Sequence, residues 1–261
     1  MKTKICFLTL LLNLVISPSN YASSICVHAL DEGRYEEQVL LNAGFTADEI
    51  NNLSDFTKNM LYEDILNSSN FNFAILNLSE DNNNSSAKGL IPSEDLTVIL
   101  TTSNYKIVDN KLTEVYVKLY YDWLDVPIWR LDDPIFVEWD ASLFKYKEGS
   151  FYYEDRYYRN GDNLYMSGSD HEHNNNILTW DAHLKTGYFL GIGGAITKLY
   201  GYGEFYLQAK TPLSSMDTFL HSMYIHSHNV NVNFSIGNVS GYSFTGTNDN
   251  TTRDILLQWN N

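Results

Sequence analysis

The sequence predicts a mainly β protein, in which an antiparallel β-sandwich or barrel-like domain follows a short N-terminal helical hairpin. Apolar and polar residues alternate in many short runs after residue 94, which is the pattern of half-buried strands. Turn residues separate these runs, as at Asp109-Asn110 and Asn160-Gly161. The sequence has no repeated strand–helix–strand rhythm, so a parallel sheet is not expected.

Residues 1–24 have the pattern of a secretory signal peptide. Lys2 and Lys4 precede an apolar run from Ile5 to Ile16, and Ala22-Ser23-Ser24 supplies the small residues of a cleavage site. This apolar run is too short to cross about 30 Å of hydrocarbon as a helix, which disfavours a membrane anchor. We therefore expect a secreted, extracellular protein that has no transmembrane span after cleavage.

The segment that follows the signal peptide, residues 25–66, is expected to form the helical hairpin. Thr46 and Glu49 have the spacing of a capping box at the start of a helix. Residues 67–93 are rich in Asn, Ser and acidic side chains, which is typical of a linker. Residues 94–261 are predicted to form the antiparallel β domain.

The charge and the cysteine content of the chain argue against a nucleic-acid partner and against an internal disulfide. The chain has 17 Lys and Arg residues against 32 Asp and Glu residues, which gives a formal net charge of −15. Because nucleic-acid binding needs a basic face, we expect no nucleic-acid partner. Cys6 lies in the signal peptide, so Cys26 alone remains and no internal disulfide is expected. The high Asn content and the excess of Lys over Arg favour a bacterial origin.

Four histidines form two pairs with a spacing of two residues. His226 and His228 lie in a predicted strand, where this spacing puts both imidazoles on one face, and His171 and His173 lie in a polar loop. His226 and His228 could share a zinc ion, and a third ligand from His171, His173 or His183 would leave an open position for an activated water molecule, as in a metal-dependent hydrolase. The alternative interpretation is a set of surface histidines, for which no cofactor is expected.

Aromatic residues are concentrated between residues 116 and 158. Flat rings with polar tips stack on sugars and are enriched at interfaces, although the same rings also fill the cores of β-sandwiches. We predict Trp123, Trp129 and Tyr153 as ligand-binding residues on this basis. The sequence thus favours a binding or interaction protein for an extracellular or cell-surface ligand, with a glycan as one candidate.

We find no catalytic motif in the sequence that would indicate an enzyme. The sequence lacks a G-x-S-x-G nucleophile motif, so no catalytic residue is predicted and an enzyme is not favoured. The Gly-rich run from Gly187 to Ile196 is apolar and has no charged residue. A membrane-active toxin or bacteriocin is therefore a further alternative, beside the metal-dependent hydrolase.

Overall fold

The structure is a computed structural model that describes residues 34–68, 70–75, 91, 95–127, 132–159, 162–184, 196–227, 233–236, 242–245 and 248–260. The predicted signal peptide, Trp129, His228 and most of the Gly-rich run lie outside these ranges. No helix within the ranges is both long enough and apolar enough to cross a membrane.

Three helices precede or accompany the first strands, and strands make up most of the remaining described chain. The helices are α1 (34–43), α2 (Ala47–Asn51) and α3 (Asp55–Asn67). The strands are β1 (Asn72–Ile75), β2 (Leu96–Val108), β3 (Lys111–Trp123), β4 (Asp132–Glu138), β5 (Phe144–Tyr146), β6 (Tyr152–Arg159), β7 (Asp162–Gly168), β8 (Glu172–His173), β9 (Ile177–His183), β10 (Lys198–Leu213), β11 (Ser215–Ser227), β12 (Asn233–Ile236), β13 (Tyr242–Thr245) and β14 (Asn248–Asn260).

Two antiparallel sheets pack face to face as a sandwich, which confirms the predicted fold class. In the first sheet the strand order is β1-β2-β3-β10-β6-β7, and β5 also pairs with β10. The second sheet has the order β14-β11-β4-β9-β8. The short strands β12 and β13 pair only with each other among the described strands.

Alternation along the strands sends one set of side chains into the space between the sheets. In β9, Leu178, Trp180 and Ala182 are buried there, while Asp181 between them is exposed. Val117 in β3 and Phe205 in β10 belong to the same core. Burial of this apolar surface, at roughly 25 cal/mol per Å², is the main force that holds the two sheets together.

Two glycines of β10 leave room for large side chains in the space between the two sheets. A Cβ at Gly203 would stand 2.5 Å from ring carbons of Trp180, which belongs to the opposite sheet. A Cβ at Gly201 would stand 2.4 Å from the Tyr121 hydroxyl and 2.6 Å from the Glu154 carbonyl oxygen. Glycine is required at both positions because any side chain would push these groups apart.

The helices cover part of the outer face of the first sheet. The capping box is confirmed: the Thr46 amide donates to Glu49 Oε2 at 2.7 Å, and the Glu49 amide donates to Thr46 Oγ1 at 3.2 Å. The Ser54 amide, at the start of α3, donates to Asp122 Oδ2 of the sheet at 2.7 Å. Apolar residues of the helices join Ile99 and other outward-facing residues of the sheet in a second core. The predicted helical segment therefore packs directly on the β domain.

A buried lysine adds a polar anchor to this helix–sheet contact. Lys118 Nζ lies 3.2 Å from a carboxylate oxygen of Asp64 in α3 and 3.6 Å from Glu204 in β10. The ammonium group also lies 4.3 Å from the centre of the Tyr202 ring. Removing one partner would leave a buried charge uncompensated, so this cluster fixes how α3 sits on the sheet.

The segment predicted as a linker contributes a strand to the sandwich. Asn72–Ile75 forms β1, which pairs with β2 in the register Phe73 to Thr101. Phe73 also stacks on Phe45 beside the helices, with ring centres 3.8 Å apart. The described part of this segment is therefore integrated into the fold, whereas residues 76–90 lie outside the described chain.

We predict that Gly203→Ala lowers the free energy of unfolding by about 1–3 kcal/mol, because the new methyl group must displace the Trp180 ring. Urea unfolding followed by tryptophan fluorescence measures this change. Ser167→Ala, at an exposed position of β7 in the same sheet, is the control and should change the value by less than about 0.5 kcal/mol. Equal effects of the two substitutions would contradict the close approach at Gly203.

Candidate functional site

A polar cleft of about 660 Å³ opens where the two sheets meet at β5 and β8. The polar cleft is lined by Lys145, Tyr146, Glu148, His173, Asn174, Asn175, Gln208 and Lys210. These residues come from β5, β8, the end of β10 and the turns that follow β5 and β8. Concave sites with converging polar groups are the usual locations of small-ligand binding.

The first wall of the polar cleft is built on β10. β5 and β6 pair in the same direction with one edge of β10, and a β-turn at residues 147–150 bulges out between them. Gly149 has φ +72°, which favours glycine in this turn. The Tyr206 amide donates to Ser150 Oγ at 3.0 Å and ties the turn to β10. Lys145 lies directly opposite Gln208, so both side chains share one face.

The second wall is the turn between β8 and β9. Asn174 Oδ1 accepts hydrogen bonds from the Asn176 and Ile177 amides at 3.1 and 3.2 Å, which closes an Asx turn. The Asn176 side-chain amide donates to Glu138 Oε1 of β4 at 2.9 Å. These bonds hold the turn in place without a ligand, so little ordering is required when one binds.

Aromatic rings back the polar groups of the polar cleft. The His171 and His173 rings lie nearly parallel, 5.5 Å apart at 18°. Tyr146 lies 4.7 Å from His173, and Phe151 lies 4.9 Å from His171. His173 Nε2 faces Glu148 Oε2 at 3.4 Å. The site therefore combines flat ring surfaces with hydrogen-bond donors and acceptors.

The structure places His226 far from His173, which belongs to the other predicted pair. His173 pairs with Leu178, which pairs with Val137, which pairs with Ser222 in β11. Three strand spacings and four residues along β11 thus put His226 about 20 Å from His173. Two nitrogens bound to one zinc ion lie within about 4 Å of each other, so His226 and His173 cannot bind the same zinc ion at this separation. The described residues contain no group of three His, Cys, Asp or Glu side chains arranged to hold a metal ion.

His226 lies instead in a buried hydrogen-bond network between the sheets. Its Nδ1 lies 2.8 Å from Asp133 Oδ2, and the same oxygen accepts a hydrogen bond from the Tyr224 hydroxyl at 2.8 Å. Trp123 Nε1 donates to the Tyr224 hydroxyl at 3.0 Å and so links the two sheets. Burial, followed by the charge of Asp133, raises the pKa of Tyr224 well above its ordinary value, so its hydroxyl stays protonated.

A second carboxylate organises a neighbouring network of the same kind. Asp155 of β6 accepts hydrogen bonds from the Tyr121 hydroxyl and from the His183 amide, the latter at 3.1 Å. His183 Nδ1 lies 2.9 Å from the same Asp155 oxygen that the amide contacts. Because Asp155 and His183 belong to different sheets, this contact also joins the sheets across the core.

The predicted aromatic ligand-binding residues lie in the core where the structure describes them. The exposed fraction is 4% for Trp123 and 1% for Tyr153, so neither ring offers a face on which a sugar could stack at the surface. Trp129 lies outside the described residues. Their burial follows from the strand phase: Trp123 alternates with the outward-facing Asp122, and Tyr153 with the exposed Tyr152.

Several tyrosines are exposed on the outer face of the first sheet, whereas the predicted ligand-binding residue Tyr153 faces the core. Tyr165 in β7 is 69% exposed, and Tyr152 and Tyr158 in β6 are each more than one-third exposed. Tyr165 lies opposite Arg156 on the outer face of the first sheet. The alternation in β6 could have distinguished these tyrosines from Tyr153, but only once the inward phase was known.

Comparison with known proteins gives no family for the chain. No family model matches it, and no curated protein matches it. Among solved structures it is similar to a collagen-binding domain from a Staphylococcus aureus adhesin, at 10% identity and a TM-score of 0.30, over 54% of this chain and 87% of that one. It is also similar to Clostridium perfringens delta-toxin, at 9% identity and a TM-score of 0.33, over 74% of this chain and 89% of that one.

We predict that His183 stabilises the protein more at acidic than at alkaline pH. Burial lowers the pKa of His183, but the hydrogen bond and charge of Asp155, with the charges of Asp132 and Asp181, raise it by more, so the net shift is upward. A pKa raised in the folded state gives stability that is fully present below the unfolded value of about 6.5 and is lost as pH rises through the folded value.

The measurement compares wild type with His183→Asn, which keeps an amide donor for Asp155, by urea unfolding between about pH 5.5 and about pH 8.5. The loss of stability in the variant should be largest at the acidic end. Ser167→Ala, exposed on β7, should show a difference that does not change with pH. A His183→Asn effect that grows with pH would contradict the assignment.

Proposed function

We propose that the chain is an exported binding protein that holds a carbohydrate in the polar cleft. The predicted signal peptide at residues 1–24 supports export to the extracellular space. The observation that carries the proposal is the lining of the polar cleft, in which amide, imidazole, ammonium and carboxylate groups converge on one concave surface.

The lining suits a ligand that is rich in hydroxyl groups. Each hydroxyl can both donate and accept, so a site for several hydroxyls needs donors and acceptors side by side. Gln208 and Asn175 have amide side chains that do both, while Glu148 accepts and Lys145 donates. A purely apolar ligand would leave these groups without partners and would be disfavoured.

The ring surfaces favour a sugar over other hydroxyl-rich ligands. A pyranose ring has a flat face of C–H groups, which packs well on aromatic rings. His173 lines the polar cleft, with Tyr146 behind it and His171 stacked beside it. A binding role for a flat ring, as inferred from the sequence, is thus proposed for the exposed His173 ring instead of Trp123 and Tyr153.

The proposal is tested by affinity electrophoresis of the purified protein through gels that contain neutral or acidic polysaccharides, followed by calorimetry with the matching oligosaccharide. We expect at least one glycan to retard the wild-type protein. His173→Ala and Asn175→Ala should each weaken its binding about tenfold, which corresponds to about 1.4 kcal/mol. Both residues are exposed, so their substitution should leave the fold intact.

Tyr165→Ala is the control, because it removes a strongly exposed aromatic ring that lies more than about 20 Å from Gln208 along the sheet. Its affinity should equal that of the wild type. If no glycan retards the protein, the proposed function is wrong. If Tyr165→Ala weakens binding while the polar-cleft variants do not, the carbohydrate site lies on the tyrosine-bearing sheet face and the assignment to the polar cleft is overturned.

A further inference from the structure

We infer that the carbohydrate bound in the polar cleft carries an anionic group, and that Lys145 and Lys210 hold this group. The inference rests on the proposed function and adds the chemical class of the ligand. It starts from the positions of two ammonium groups, which follow from the strand register around β10.

The register places both lysines on one face at one edge of the polar cleft. Lys145 of β5 lies opposite Gln208 of β10, and Lys210 follows Gln208 by two residues, so the three side chains share a face. The Lys210 amide donates to the Leu143 carbonyl at 2.8 Å, which holds this end of β10 against the segment that leads into β5. Both lysine side chains are exposed at the polar cleft.

The two lysines differ in their charge partners from Lys106, Lys147 and Arg156 of the same sheet and its turns. Within the described chain, neither Lys145 nor Lys210 forms an ion pair, whereas Lys106 and Lys147 both pair with Glu114, at 3.2 and 2.8 Å. Arg156 pairs with Glu154. In a chain with a formal net charge of −15, acidic partners are abundant. Two lysines without an ion-pair partner in the described chain, at one concave site, are therefore available to an anion from outside the chain.

The charges that face the polar cleft give it a local positive balance. Lys145 and Lys210 contribute two positive charges, and Glu148 is the one acidic residue in its lining. Glu148 lies 3.4 Å from His173 Nε2, so its charge is directed toward the imidazole. Because the Debye length is about 8 Å at physiological ionic strength, acidic groups farther away are largely screened. The charges that line the polar cleft therefore determine the local electrostatic potential.

Lysine recognises an anion by charge and does not impose a planar paired geometry as arginine does. A carboxylate, sulfate or phosphate group on a sugar therefore shares the chemistry that Lys145 and Lys210 would recognise. Matched saccharides separate these sources in the test. Uronate oligosaccharides carry the carboxylate alone, and sulfated or phosphorylated analogues of the same length carry the other two groups.

The test measures the affinity of the purified protein for trigalacturonate and for its methyl ester, which has the same sugar backbone without the charge. We expect the acid to bind at least tenfold more tightly than the ester at low salt, with a difference that shrinks as salt is added. Lys145→Gln and Lys210→Gln should each reduce this preference several-fold. Lys198→Gln is the matched control, since Lys198 is exposed at the opposite end of β10, about 40 Å from Lys210 along the strand.

The substitution Glu148→Gln should change the preference for the acid in the opposite direction. Removal of this carboxylate should raise the preference for the acid over the ester several-fold. If the sulfated or phosphorylated analogue shows the lysine-dependent preference in place of trigalacturonate, the inference holds with that anion.

If acids and neutral analogues bind equally, or if the preference survives both lysine substitutions, the anionic inference is wrong while the proposed carbohydrate function stands. If no saccharide binds, the proposed function fails and the inference fails with it.

Discussion

The hydrogen bonds of two buried carboxylates hold the aromatic interior of this sandwich together. A core rich in tyrosine and tryptophan contributes large apolar surfaces, but each ring also brings a polar tip that is costly to bury without a hydrogen-bond partner. Asp133 accepts from Tyr224, which in turn accepts from Trp123 of the opposite sheet, and Asp155 accepts from Tyr121 and contacts His183. Removal of either carboxylate would leave several buried donors without partners, so the spacing of the sheets depends on these two residues.

The polar cleft depends on this rigid frame, although it lies at another part of the sandwich. One wall belongs to β10, which runs through the centre of the first sheet, and the other follows β8 at the edge of the second. Both turns are fixed by local hydrogen bonds, at Ser150 and at Asn174. Since the sheets cannot slide past each other without breaking the inter-sheet bonds, the two walls keep a constant separation. Functional groups can then be placed on turns without loss of precision.

Local patterns in the sequence predict the elements well and the site poorly. The alternation after residue 94 predicts strands such as β9, and the capping box predicts a helix with Thr46 as its N-cap, because both depend on neighbouring residues. The identity of the inward face depends on which strands pair, and this is set by contacts far apart in the sequence. Trp123 is therefore predicted from the sequence as a ligand-binding residue, although its side chain lies in the core. The polar cleft could not be predicted, since Lys145 meets Gln208 only through non-local pairing.

The most direct test of the account is an NMR titration, in which an oligosaccharide that the protein binds is added to the isotope-labelled protein and the backbone amide shifts are monitored. The account predicts that the largest shifts occur at residues 145–150, 173–176 and 208–210, which come together only at the polar cleft. Amides next to Trp123 and Asp133 in the core should remain almost unchanged. Shifts centred on Tyr152, Tyr158 and Tyr165, with the polar cleft unaffected, would contradict it.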